Sequence, residues 1–98
     1  MIFGVDIDDT LFVSERIEGE YVLKYADIAM IDRVNALHEE GHTIILWTGR
    51  HWNHLNVTKQ QLDKYGVKYD SLVMAKPPVD VMVDDKAVTP EQFLAGKL

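Results

Sequence analysis

Apolar residues along this chain fall into short blocks that change period. Met1 to Val5 is an apolar run that stops abruptly at Asp6, Asp8 and Asp9, followed by Thr10. Ile2–Asp6 therefore reads as a buried strand, and Thr43–Trp47 (Thr-Ile-Ile-Leu-Trp) has the same character. Leu72–Met74 predicts a short third strand and Val79–Val83 a fourth, again ending in acids, Asp84 and Asp85. Between these runs the spacing becomes helical. Met30, Ile31, Val34 and Leu37 share one face of a helix that Asp27 caps, that runs to Glu40 and that Gly41 stops. Asn53 to Tyr65 predicts a second helix, with Leu55, Leu62 and Tyr65 inward and Gly66 at its end. Thr89-Pro90-Glu91-Gln92 starts a third: Thr as cap, Pro at the first helical position, Gln three residues after the cap. Leu11 to Ala26 has no clean period, and Gly19 among charged neighbours predicts a loop or short hairpin. No repeat, low-complexity stretch or linker interrupts the pattern, so residues 1–98 read as one domain.

Strands apolar on both faces and alternating with helices predict an α/β fold: a three-layer, Rossmann-like parallel sheet flanked by helices. Ligands of such sheets bind outside the carboxyl ends of the strands. Asp6, Asp8, Thr48, Asp84 and Asp85 all fall at or just past such an end, although Asp6 and Asp85 are 79 positions apart. Carboxylates concentrated at one strand tip repel one another, and each costs several kcal/mol to desolvate unless a positive charge offsets it. Mg²⁺ is the usual partner of an all-oxygen site and brings a phosphate with it.

Composition narrows the classes. The 98 residues are 47% hydrophobic and 27% charged, an ordinary globular mixture for one small domain. Cysteine is absent, which excludes disulfides, thiolate metal sites and thiol catalysis. No leader-like segment or membrane-length apolar run is present, so a cytoplasmic location is expected, without membrane partners. The net charge of −6 argues against a general nucleic-acid binder. A chain this small buries a modest fraction of its surface, which makes a homo-oligomer, dimer or tetramer, an expectation.

The same residues resemble the motifs of the haloacid dehalogenase (HAD) superfamily of phosphohydrolases, in order and over nearly the whole chain. Asp6-Ile7-Asp8-Asp9-Thr10-Leu11 matches its D-x-D-x-T-L motif. Thr43 to Thr48, followed by Gly49-Arg50, matches the apolar strand ending in Thr or Ser. Lys76 matches the motif lysine, with Lys86 as the substitute, and Val81-Met82-Val83-Asp84-Asp85 the last acidic strand. The resemblance implies a Mg²⁺-dependent phosphatase that hydrolyses a small phosphomonoester, such as a sugar phosphate, through an aspartyl-phosphate. Asp6 would be the nucleophile and Asp8 the general acid and base. Asp6, the backbone carbonyl of Asp8, Asp84 and Asp85 would hold the metal. Thr48, Gly49 and Lys76 would meet the phosphoryl group, and Arg50 a second anionic group or a sugar hydroxyl. A phosphotransferase, or a nucleotide or nucleic-acid end phosphatase, is the alternative on this scaffold. A phospho-switch or silent binding domain fits the residues less well.

Many HAD relatives carry a cap domain after the first motif or between the second and third. Leu11 to Asp27 and Gly49 to Lys76 are too short for one, so the chain resembles a minimal, uncapped member. Similar short proteins are linked to capsular or surface-polysaccharide biosynthesis. Specificity would then rest on Phe12, Ser14, Glu15 and Arg16 after the first motif, and on Arg50, His51, Trp52 and His54 after the second. The family usually places a helix between the lysine and the last acidic strand, whereas only Pro77 and Pro78 lie between Lys76 and Val79. A parallel crossover needs a dozen or more residues. Either Leu72–Met74 is not a full parallel strand, or the lysine arrives by an unusual path.

Overall fold

The computed structural model describes residues 1–97. The first strand, β1 (Ile2–Asp6), pairs in parallel with β4 (Thr43–Trp47), and β4 with β5 (Ser71–Val73), giving the order β1-β4-β5. The register sets Val5 against Leu46 and Asp6 against Trp47. Successive side chains alternate faces, so Val5, Ile44 and Leu46 line the buried face while Asp6, Ile45 and Trp47 share the half-buried one. The two strands end level, so the residues just past their carboxyl ends share one rim.

Helices flank this sheet, which makes the domain α/β and Rossmann-like. Helix α1 (Ile28–Glu39) starts at Asp27, whose carboxylate accepts from the Met30 N–H at 3.1 Å. It buries Met30, Ile31, Val34 and Leu37, the face the sequence spacing predicts. Gly41 lies beyond its end at φ 94°, a left-handed conformation that glycine adopts without steric cost. A 3-10 turn over Trp52–His54 leads into α2 (Leu55–Lys64), and α3 (Pro90–Leu94) carries the full Thr89/Gln92 capping box. Among the described residues no helix is long and apolar enough to cross a membrane.

Leu11 to Ala26 forms a hairpin, β2 (Phe12–Ile17) against β3 (Glu20–Ala26). Its turn residues Glu18 and Gly19 both have positive φ, the form whose twist matches that of the flanking strands. The hairpin is a sheet of its own, and its root inserts Phe12 into the core against Tyr65, with ring centroids 5.6 Å apart.

The expected fourth strand does not form. Val79–Val83 is irregular, with Val81 75% and Val83 92% exposed, and Met82 is also exposed. The reason lies upstream. The Lys76 N–H donates to the Thr48 carbonyl at 2.8 Å, which pins Lys76 at the carboxyl rim of the sheet. Three residue steps from there reach about 10 Å. A strand parallel to β1 would have to begin at the opposite rim, about 16 Å away for five residues. With β5 in place as a parallel strand, Pro77 and Pro78 cannot bridge that distance, and the run stays outside the sheet.

Candidate active site

Asp6 closes β1, and the chain then wraps around the carbonyl of buried Ile7. That oxygen accepts from the N–H groups of Thr10, Leu11 and Phe12 at 3.2, 2.8 and 3.1 Å. The wrap requires a left-handed residue, and Asp9 supplies it at φ 63°, a conformation aspartate tolerates better than most residues. Asp9 is thus a turn residue, and Asp6 and Asp8 both remain at the rim.

The chain after β5 passes over the end of β4. Thr48 N–H donates to Val73 O at 2.9 Å, Ala75 N–H to Arg50 O at 2.7 Å, and Lys76 N–H to Thr48 O. This ladder delivers the Lys76 ammonium to Asp6 Oδ1, 2.9 Å away and 5.0 Å from the centre of the Trp47 ring. Lys76 is therefore the lysine that meets Asp6. Lys86 is exposed and touches the acids through its backbone, its N–H donating to Asp84 Oδ1 at 2.8 Å. Asp6 Oδ2 has no hydrogen-bond partner among the described residues, and the Asp6 side chain is about one-third exposed.

Asp8 is held differently. Arg50 meets it with a two-pronged contact, Nε to Oδ2 at 2.9 Å and Nη2 to Oδ1 at 2.8 Å. Ser14 Oγ donates to Asp8 Oδ1 and accepts from Arg50 Nη2, both at 3.2 Å. The other guanidinium nitrogen, Nη1, donates to Thr58 Oγ1 at 3.1 Å and to Gln61 Oε1 at 2.6 Å. The Tyr21 ring lies 4.3 Å from the Arg50 guanidinium carbon and equally far from that of Arg16, so two cations flank one aromatic ring. Arg50 is 1% exposed and all five of its N–H groups are engaged by protein acceptors. The expectation that Arg50 grips a second anionic group is corrected by this geometry: it has no donor to spare.

Thr48 also departs from expectation. It sits at the carboxyl end of β4, but it is fully buried, and its Oγ1 accepts from the Arg50 N–H at 3.1 Å. In this arrangement the hydroxyl caps the strand-end turn instead of facing open space. Gly49, beside it, is exposed, and its N–H has no backbone partner among the described residues. Asp84 and Asp85 lie in an exposed turn and not at a strand end. They nevertheless border the same cavity, about 780 Å³, as Asp6, Lys76 and Trp47.

Among the described residues no three Asp, Glu, His or Cys side chains converge as a metal cage. The donor chemistry still suits Mg²⁺, which is bound through one or two carboxylates, substrate phosphates and water more often than by a protein cage. Asp6, Asp84 and Asp85 are the carboxylates on the cavity wall that match this demand. Of the loop candidates, Ser14 and Arg16 join the Asp8–Arg50–Tyr21 assembly, and His54 packs edge-on to Tyr21 at 5.0 Å. His51 and Trp52 are exposed. Sequence reasoning missed Thr58, Gln61 and Tyr21. Thr58 carried a signal, because a polar residue on the helix face shared with Leu55 and Leu62 must find a buried partner.

Fold and site together define an α/β domain whose parallel sheet gathers two acid–base pairs, Asp6–Lys76 and Asp8–Arg50, on one rim. No protein-family model matches the chain, and no curated protein matches it. It is similar to a solved structural-genomics target from Vibrio cholerae, at 24% identity and a TM-score of 0.76, covering 96% of this chain and 87% of that one. It is also similar to a chain of the Pnkp1/Rnl/Hen1 complex, at 23% identity and a TM-score of 0.59, where the match covers 98% of this chain and 35% of that one. At these identities the likeness is one of fold, and the resemblance to the HAD superfamily rests on the motifs.

Proposed function

We propose that this protein is a phosphohydrolase that cleaves a small phosphomonoester, such as a sugar phosphate, through a phosphorylated Asp6. The observation that carries the reading is the Asp6–Lys76 pair: a strand-tip carboxylate with one oxygen on an ammonium and the other without a partner among the described residues. Asp6 Oδ2 attacks phosphorus and the bond to the leaving oxygen breaks, with Asp8 giving that oxygen a proton. Water then attacks the phosphorus of the aspartyl-phosphate, yields a proton to Asp8, and releases phosphate and Asp6. Lys76 offsets charge on Asp6 and the transferring group, and the Gly49 N–H, without a backbone partner among the described residues, would receive a phosphoryl oxygen. Mg²⁺ held by Asp6, Asp84 and Asp85, with the Asp8 backbone carbonyl, would supply further charge neutralisation when bound. A cytoplasmic location and a homo-oligomer that shields the open site accompany this reading.

Hydrolysis of an aryl phosphate with Mg²⁺ and with EDTA, with Asp6→Asn alongside, tests it. Metal-dependent turnover that Asp6→Asn abolishes is the expected result. Equal rates for parent and variant would end the proposal. A second reading is a phosphatase of nucleotide or nucleic-acid ends, the alternative the motifs leave open, on a fold shared with a chain of the Pnkp1/Rnl/Hen1 complex. The charge of −6 weighs against it. Faster turnover of a 3′-phosphorylated oligonucleotide than of a sugar phosphate would select this second reading.

A further inference from the structure

We propose that Arg50 is a positioning residue for proton transfer: it fixes the Asp8 carboxylate so that a single site on Oδ2 faces the leaving oxygen. The inference rests on the phosphohydrolase reading and deepens it.

A carboxylate offers about four lone-pair sites, two per oxygen. At Asp8 three of them are taken. Oδ1 accepts from Arg50 Nη2 and Ser14 Oγ, and Oδ2 accepts from Arg50 Nε. The remaining site on Oδ2 is where a proton can be carried without breaking any of these contacts. A planar fork imposes orientation as well as attraction, which a lysine in its place would not do.

The fork is itself held from three directions. Thr58 and Gln61 of α2 take Nη1, with Thr58 in turn donating to the His54 carbonyl at 2.7 Å. The Tyr21 ring covers one face, and Gln61 Nε2 donates to the Tyr21 carbonyl at 2.9 Å. Asp8 thus reports the position of both α2 and the β2–β3 hairpin. In the first chemical step the Asp6–phosphorus bond forms, the phosphorus–leaving-oxygen bond breaks, and the proton on Oδ2 passes to that oxygen, leaving Asp8 ionised within the fork. The second step returns a proton from water to the same site.

Proton donation matters most when the leaving group is a poor one, so the test compares leaving groups. Turnover of an aryl phosphate and of an alkyl phosphate is measured for the parent, for Arg50→Lys, and for Gln61→Met, which loosens Arg50 without touching Asp8. Arg50→Lys is expected to lower kcat on the alkyl ester about 100-fold and on the aryl ester less than about tenfold, with KM nearly unchanged. Gln61→Met should give the same selectivity at smaller size, and it stands in if Arg50→Lys does not fold. Equal losses on both esters would mean a structural role alone and overturn the proposal. A raised KM with kcat retained would make Arg50 a substrate-binding group and also overturn it. If the parent hydrolyses neither ester, the phosphohydrolase reading fails, and the clamp is judged separately by NMR. An Arg50 Nε–H resonance slow to exchange in the parent and in Asp6→Asn, but fast in Asp8→Asn, is the expected pattern. Fast exchange in the parent would overturn the clamp itself.

Discussion

Replacing Asp8 by alanine leaves Arg50 buried with its Nε and one Nη2 proton unpaired. The Arg50 side chain is fully buried whereas that of Asp8 is 30% exposed, so the loss falls on the partner that cannot turn to solvent. Breaking a buried ion pair from one side costs about 3–5 kcal/mol. Water that enters through the vacated carboxylate position recovers part of this, which points to the lower end, about 3 kcal/mol. That is a large share of the roughly 5–15 kcal/mol a domain has in total. For a chain of this size it lowers Tm by roughly 12–24 °C. Asp6→Ala is the internal control. Its partner Lys76 is partly exposed and can extend its ammonium into water, so the cost there is about 0–1 kcal/mol. Urea unfolding with an unchanged m-value measures both. Adding Arg50→Met to Asp8→Ala should recover part of the loss, because the stranded cation is gone. The reasoning fails if Asp8→Ala lies within about 0.5 kcal/mol of the parent, since surface changes also fall in that range.

Two further outcomes are expected. Val81→Asp should shift stability by no more than about 0.5 kcal/mol, because Val81 is exposed; a drop of several kcal/mol in a chemical denaturation curve would place it in a buried strand. The Lys68 ammonium, hydrogen-bonded to Glu39, holds that carboxyl below the usual carboxylate range. A lowered folded-state value means the pair's small contribution to stability is complete above the ordinary carboxylate value and fades as pH falls through the lowered one. An NMR titration of Lys68→Met should return Glu39 to the ordinary range with little change in Tm.

The elements that local chemistry decides were legible. The Asp27 cap, the Thr89/Gln92 capping box and the apolar spacing of α1 involve neighbours within four residues, and each forms as the sequence predicts. The carboxyl-end placement of Asp6, Asp8 and Thr48 came from β1 and β4, whose apolar runs leave no other place for them. Val79–Val83 misled because its composition suits a buried strand, while its place in the sheet depends on the path of Met74–Pro78. The crossover length already conflicted with a fourth strand, and chain reach decided against apolar character. Arg50 misled for a different reason. From sequence it is a cation just past a strand end, which describes a substrate-binding arginine and a buried clamp equally well. The distinction lay in how many acceptors the fold brings to it, from Ser14, Thr58 and Gln61, none of which is a sequence neighbour.

The two acids on the rim differ in what holds them, and the proposed reaction asks different things of each. Lysine is a compact charge on a flexible stem; through one contact at 2.9 Å it offsets the charge of Asp6 and leaves the carboxylate free to turn, as the proposed nucleophile must. Arginine is a planar fork, and through two contacts it fixes the orientation of Asp8, which suits the proton transfer proposed for it. A nucleophile has to move along the bond it forms, whereas an acid–base group has to return to the same place twice per turnover. Exchanging the two cations would therefore harm both proposed functions without altering the net charge of the site. On the proposed reading, Asp6 and Asp8 can share the work because the chain supplies one with a cation that yields and the other with a cation that does not.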